Sequence, residues 1–85
     1  MPSLEPFPVK PQRPHLLRLR LGNAVWACRM SRNMTQESLA RRLGTSRQAI
    51  SSLERGIKLP TVALCLRVAA ALDLRPVVLL RMARL

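Results

Sequence analysis

Histidine occurs once in this 85-residue chain, at His15, and cysteine twice, at Cys28 and Cys65, with no C-x-x-C pair. A zinc site needs several convergent ligands and a covalent nucleophile needs a neighbouring base, so both chemistries lack their parts. The four acids, Glu5, Glu37, Glu54 and Asp73, form no constellation with them that would build a catalytic centre. The chain therefore reads as a non-enzyme with no catalytic residues, no metal and no cofactor. Gly22, Gly44 and Gly56 lie too far apart to make a phosphate-cradling loop. No stretch approaches the run of about 18 apolar residues that a membrane span requires. Prolines stand near the N-terminus where a signal peptide would need an apolar centre. The expected setting is cytoplasmic, with no membrane partner and both thiols reduced in the core.

Positive charge is abundant. Lys plus Arg number 15 against 4 acids, a formal net charge of +11, which points to a polyanionic partner. All but Lys10 and Lys58 of these cations are arginine, whose fork suits phosphate oxygens and the guanine edge, although a compositional bias of the genome produces the same excess. A chain this short supports one core, which leaves no room for a sensor domain and no expectation of a small-molecule ligand.

Five of the 7 prolines, Pro2, Pro6, Pro8, Pro11 and Pro14, fall within residues 1–15. That segment can neither complete a helix nor pair fully in a sheet, and it reads as an arm whose Lys10 and Arg13 reach a phosphate or the minor groove, or as a solvated linker. Residues 16–85 form the domain. From Leu16 the apolar positions take helical spacing, so the body is all-α. Leu21, Val25 and Cys28 make the first stripe, which ends at Ser31, Arg32 and Asn33. Thr35 caps a second helix over Gln36 to Leu43, with Glu37 in its first turn and Leu39, Ala40 and Leu43 buried. Gly44 stops it, and Ser46 caps a third helix from Arg47 to about Arg55. Its residues Ile50 and Leu53 face inward while Arg47, Gln48, Ser51 and Ser52 face out. Thr61 opens a fourth helix with the stripe Val62, Cys65, Val68, Ala69 and Leu72. Pro76 begins a fifth that contains Leu79 and Leu80.

Two short helices joined through Gly44-Thr45-Ser46 fit a helix-turn-helix unit, with Ala40 small where the helices approach and Ile50 holding the second against the first. The segments Thr35-Gln36-Glu37-Ser38-Leu39-Ala40, Gly44-Thr45-Ser46-Arg47-Gln48-Ala49-Ile50-Ser51 and Leu53-Glu54-Arg55-Gly56 resemble the Cro and lambda-repressor-like (XRE) family. The match continues through Pro60, Ala69, Leu72 and Leu80, covering about residues 17–82.

The resemblance implies a compact five-helix DNA-binding domain and roles for the matching positions. Arg47, Gln48 and Ser52 read base edges, Arg suiting guanine and Gln suiting adenine, with a phosphate contact as the alternative for Arg47. Gln36, Ser46, Ser51, Arg55 and Lys58 bind phosphates, and Gln36 also braces the recognition helix. Arg29 and Glu54 form a structural ion pair. Arg41 and Arg42 decorate the solvated face of the second helix, with a phosphate contact as the alternative. The implied partner is an operator in double-stranded DNA, palindromic if the protein is a dimer, in a bacterium or phage, at the nucleoid.

One departure concerns the chain's end. The family opens its fifth helix with polar residues around the proline, whereas here Pro76 precedes Val77, Val78, Leu79 and Leu80, more apolar surface than one face buries. Val77, Val78 and Met82 are therefore the candidate interface of a homodimer, either on a helix or, since residues 77–82 favour β structure, on an intermolecular strand. Trp26 lies off the first stripe and packs on the arm near Phe7 or on a partner. The leading function is a sequence-specific transcriptional repressor. The alternatives are an antitoxin that binds a toxin protein and autoregulates its operon, and a non-specific RNA-binding or architectural protein.

Overall fold

Thr35, Ser46 and Thr61 each stand in extended backbone just before a helix, and each hydroxyl accepts the amide hydrogen of the residue three positions on, at 3.0, 3.1 and 3.0 Å. With Pro76 in the first turn of the last helix, these caps set the helix starts in the computed structural model, which describes residues 14–84. The helices are α1 (Pro14–Ser31), α2 (Gln36–Leu43), α3 (Arg47–Glu54), α4 (Val62–Ala71) and α5 (Pro76–Met82). No strand occurs among the described residues, and residues 77–82 are helical. The expected arm, with Lys10, Arg13 and Phe7, lies outside the described residues apart from Pro14 and His15, which open α1 two residues before Leu16.

Four helix ends share one device. After α1, α2, α3 and α4 a single residue adopts positive φ: Asn33 at 54°, Gly44 at 67°, Gly56 at 71° and Asp73 at 57°. The following amides, those of Met34, Thr45, Ile57 and Leu74, then reach back to the carbonyls of Arg29, Ala40, Ser52 and Ala69. This paired-hydrogen-bond ending satisfies carbonyls that the last turn leaves open. Asn33 and Asp73 take the place of glycine because their short polar side chains tolerate the left-handed region best among the other residues.

Helix α1 packs on α3 and α5, α2 on α3 and α4, and α4 on α5, around a core whose most deeply buried large side chains are Val25, Leu39, Ile50, Val68, Leu72 and Leu79. The expected inward stripe of α4 needs one correction: Val62 is 77% exposed. It sits in the first turn, at the mouth of an open apolar groove it shares with Leu59, Leu66 and Leu80, where none of the described helices covers it. Leu64 and Cys65 pack against the core edge instead, beside Val68, Ala69 and Leu72.

Gly22 fixes the crossing of α1 and α3. A β-carbon there would meet the backbone carbonyl oxygens of Leu53 and Glu54 at 2.5 and 2.6 Å, contacts that only movement of one helix could relieve. Gly22→Ala is therefore expected to cost at least about 1–3 kcal/mol. Thermal unfolding followed by circular dichroism measures this, and an unchanged Tm would show that the helices are not in such close contact.

Candidate nucleic-acid interface

The turn between α2 and α3 is short because Gly44 takes the left-handed conformation and Ser46 caps the next helix at once. Helix α3 is thereby pinned from behind by Ile50 and Leu53, 1% and 7% exposed, while Arg47 and Gln48 in its first turn are open to solvent. Ser51 and Ser52, further along the outer face, are half-buried, a shallower presentation than the sequence pattern implies. The Ser46 hydroxyl oxygen is occupied as the cap of Ala49, which leaves its hydrogen to donate. Arg55 and Lys58 are exposed after α3, and Lys58 shares a shallow cleft with Ala49 and Ser52.

The far end of α3 is held by charge. The Glu54 carboxylate accepts Arg29 Nε at 2.6 Å on Oε2 and Arg29 Nη2 at 2.9 Å on Oε1, and Oε1 also accepts Gln36 Nε2 at 3.1 Å. The third guanidinium nitrogen of Arg29, Nη1, donates to the Met34 carbonyl at 2.7 Å, just before α2 begins. Both side chains of the pair are nearly out of solvent, at 8% and 4% exposure. The Glu54 hydrogen bonds push the Arg29 pKa up; burial opposes this and the Glu54 charge assists it. One carboxylate thus ties α1, the N-terminus of α2 and the C-terminus of α3 together. Gln36 spends one donor on this bracing and keeps a second N–H for another acceptor.

Four of the arginines fold back onto backbone carbonyls. Arg18 donates to the Gly56 carbonyl at 3.0 Å, Arg32 to Asp73 at 3.3 Å and Arg42 to Ala71 at 3.0 Å, while Arg67 donates to Leu43. Arg42 of α2 thus reaches the C-terminus of α4, and Arg67 of α4 the C-terminus of α2. A cation is favoured at each end because carbonyls there carry the negative pole of the helix. Arg41 and Arg42 are both exposed, as expected on the solvated face of α2, and Arg42 in addition bonds the end of α4. Among the described residues, the side chains of Arg41, Arg47, Arg55, Lys58, Arg75, Arg81 and Arg84 make no hydrogen bond or ion pair.

On α5 only Leu79 of the apolar run is buried, whereas Val77, Val78, Leu80 and Met82 are 52%, 38%, 38% and 45% exposed. Met82 is partly committed to its own domain, its sulfur accepting the Cys28 thiol at 3.1 Å. Burial pushes the thiols of Cys28 and Cys65 up in pKa, so both are poor nucleophiles at neutral pH. Among the described residues no group of His, Cys, Asp or Glu is arranged to hold a metal ion, and no helix is long and apolar enough to cross a membrane.

A helix-turn-helix family model matches residues 27–79. Among solved structures, the clp gene regulator ClgR from C. glutamicum superposes with a TM-score of 0.78 at 31% identity, covering 88% of this chain and 92% of that one. The restriction-modification controller protein C.AhdI from Aeromonas hydrophila superposes with a TM-score of 0.69 at 30% identity, over 72% and 92% of the two chains. The controller protein C.Esp1396I, solved as a tetramer on its natural 35-base-pair operator, gives a TM-score of 0.73 at 28% identity over 81% and 90%. No curated protein matches the sequence.

Proposed function

Because this chain belongs to the XRE-type helix-turn-helix family, it is a DNA-binding transcriptional regulator, and we infer that it acts as a homodimeric repressor on a palindromic operator. The observation that carries the reading is the presentation of Arg47 and Gln48, exposed on the first turn of a helix whose back and far end are fixed by Ile50, Leu53 and the Arg29–Glu54 pair. A reading element must be rigid where it meets the bases, since a loose side chain loses the entropy of ordering on binding.

In this reading Arg47 and Gln48 hydrogen-bond base edges and Ser52 touches the groove floor or a thymine methyl. Gln36, Ser46, Ser51, Arg55 and Lys58 hold phosphates and set the register. The protomers meet through the exposed apolar face of α5, Val77 and Val78 first, with Met82 at its edge. Occupying an operator needs no cofactor and no small ligand, and the protein works in the cytoplasm, at the nucleoid. C.Esp1396I, a tetramer on its operator, supports assembly of more than one copy on DNA. An antitoxin role, with a toxin partner, is not needed to account for the site.

Titration of a labelled duplex by fluorescence anisotropy across a salt series tests the backbone part of this reading. Two phosphate-facing cations per protomer, Arg55 and Lys58, give a slope of log K against log salt of about −2 per protomer and about −4 for a dimer. Arg55→Gln should make the dimer slope about 2 units shallower, since each protomer loses a counterion-releasing contact. An unchanged slope would remove Arg55 from the phosphate contacts.

A further inference from the structure

Trp26 is half exposed on α1, one turn before Arg29, and lines no part of the hydrophobic core. It walls instead an open cleft of about 410 Å³ together with Asn23, Gln36, Ser51, Glu54 and Arg55. Helix α1 supplies Asn23 and Trp26, the start of α2 supplies Gln36, α3 supplies Ser51 and Glu54, and its C-cap supplies Arg55. Ser51, in the cleft wall, stands on α3 one turn beyond Arg47 and Gln48.

We propose that this cleft receives a phosphate and its sugar from the bound duplex, with the Trp26 indole against the backbone and its N–H, Asn23 and Arg55 as donors. The inference rests on the DNA-binding reading above and extends the contact surface from the helix-turn-helix unit onto α1. Charge favours it. The carboxylate in the cleft, Glu54, is already taken up by two bonds from Arg29 and one from Gln36, whereas the Arg55 guanidinium makes no ion pair among the described residues. The start of α2 adds the amide of Gln36, which has no acceptor within the helix and lies at its positive pole. An indole suits the remaining wall, offering an apolar face to a sugar and a single donor to a phosphate oxygen.

The chain contains one tryptophan and no tyrosine, so emission excited at the indole edge reports on Trp26 alone. The experiment follows the full chain at low salt with a fluorescein-labelled duplex of arbitrary sequence, because backbone contacts do not depend on the bases. Binding is read from the label's anisotropy, and Trp26 accessibility from acrylamide quenching in the same samples. The expected result is a fall in quenching of about two-fold or more at saturation, as an indole half open to solvent becomes covered. Trp26→Ala should weaken binding about ten-fold, the loss of a hydrogen bond to a charged acceptor, without changing the salt slope, since a neutral side chain releases no counterion. Trp26→Phe should keep part of the affinity through its apolar face.

Binding with unchanged Trp26 quenching would overturn the proposal while leaving the DNA-binding reading intact. So would a Trp26 already protected in the DNA-free protein, which would assign the indole to a protein contact. Absence of any binding would sink the regulator reading, and this inference with it.

Discussion

Replacing Arg47 and Gln48 together by alanine is expected to erase the preference for the cognate operator over unrelated duplex while leaving Tm within a degree or two of the parent. Each bidentate side chain on a base edge discriminates by about 1–3 kcal/mol, so the pair should account for roughly 30-fold to more than 10,000-fold in selectivity. Both side chains are exposed and take no part in the core or in the Glu54 network, which is why stability should hold. Residual binding should survive through Gln36, Ser46, Ser51, Arg55 and Lys58, because phosphate contacts position the protein without reading sequence. Competition between labelled operator and excess non-specific duplex measures the effect. If only Arg47→Ala changes overall affinity and selectivity is kept, then Arg47 grips phosphate and the reading lies with Gln48 and Ser52.

The opposite pattern is expected at the Arg29–Glu54 pair. Arg29→Ala should cost about 3–5 kcal/mol, because it strands a nearly buried carboxylate on one remaining hydrogen bond from Gln36. For a domain of this size that is a fall in Tm of more than about 12 °C. It is also a large share of the total, since small domains are stable by only about 5–15 kcal/mol. The paired change Arg29→Met with Glu54→Leu should restore much of the loss, because no charge is then left without a partner. DNA binding should not recover in step. The third member of the network, Gln36, would lose the acceptor that holds it at the N-terminus of α2. Thermal melts of the single and paired variants, with anisotropy titrations beside them, separate the two effects.

The extent to which the sequence disclosed this architecture follows from how local each determinant is. Thr35, Ser46 and Thr61 act within three residues of themselves, so the starts of α2, α3 and α4 were readable, as was the bend at Gly44. The helix-turn-helix unit was legible for the same reason: its caps, small residue and inward apolar positions sit in one short stretch. Gly22 was not, because the constraint on it comes from carbonyls of Leu53 and Glu54, more than thirty residues away. No signal within α1 distinguishes it from any other helical glycine.

Apart from Arg29, paired with Glu54 as expected, the arginines that brace the fold were legible only as charge. Their excess pointed to a polyanionic partner, yet Arg18, Arg32, Arg42 and Arg67 bind carbonyls near helix ends that only folding brings within reach. The exposed Val62 shows the same limit from the apolar side: helical spacing placed it seven positions before Ala69, on the same face, but the helix begins beyond the edge of the core. The fate of Trp26 likewise could not be read from a stripe it does not share. Its neighbours Gln36, Ser51 and Arg55 come from two other helices and the turn after them.

Selection of bound duplexes from a random-sequence pool puts the function to its most direct test, because it asks the protein for its own preference. The chain should enrich a two-fold symmetric motif whose half-sites lie about 34 Å apart along the duplex, one helical turn, or a multiple of that spacing. The Arg47→Ala, Gln48→Ala variant, carried through the same rounds, should enrich none. A pool that emerges without any common motif, while the wild-type protein binds it tightly, would contradict sequence-specific reading by α3 and leave a backbone-binding protein in its place.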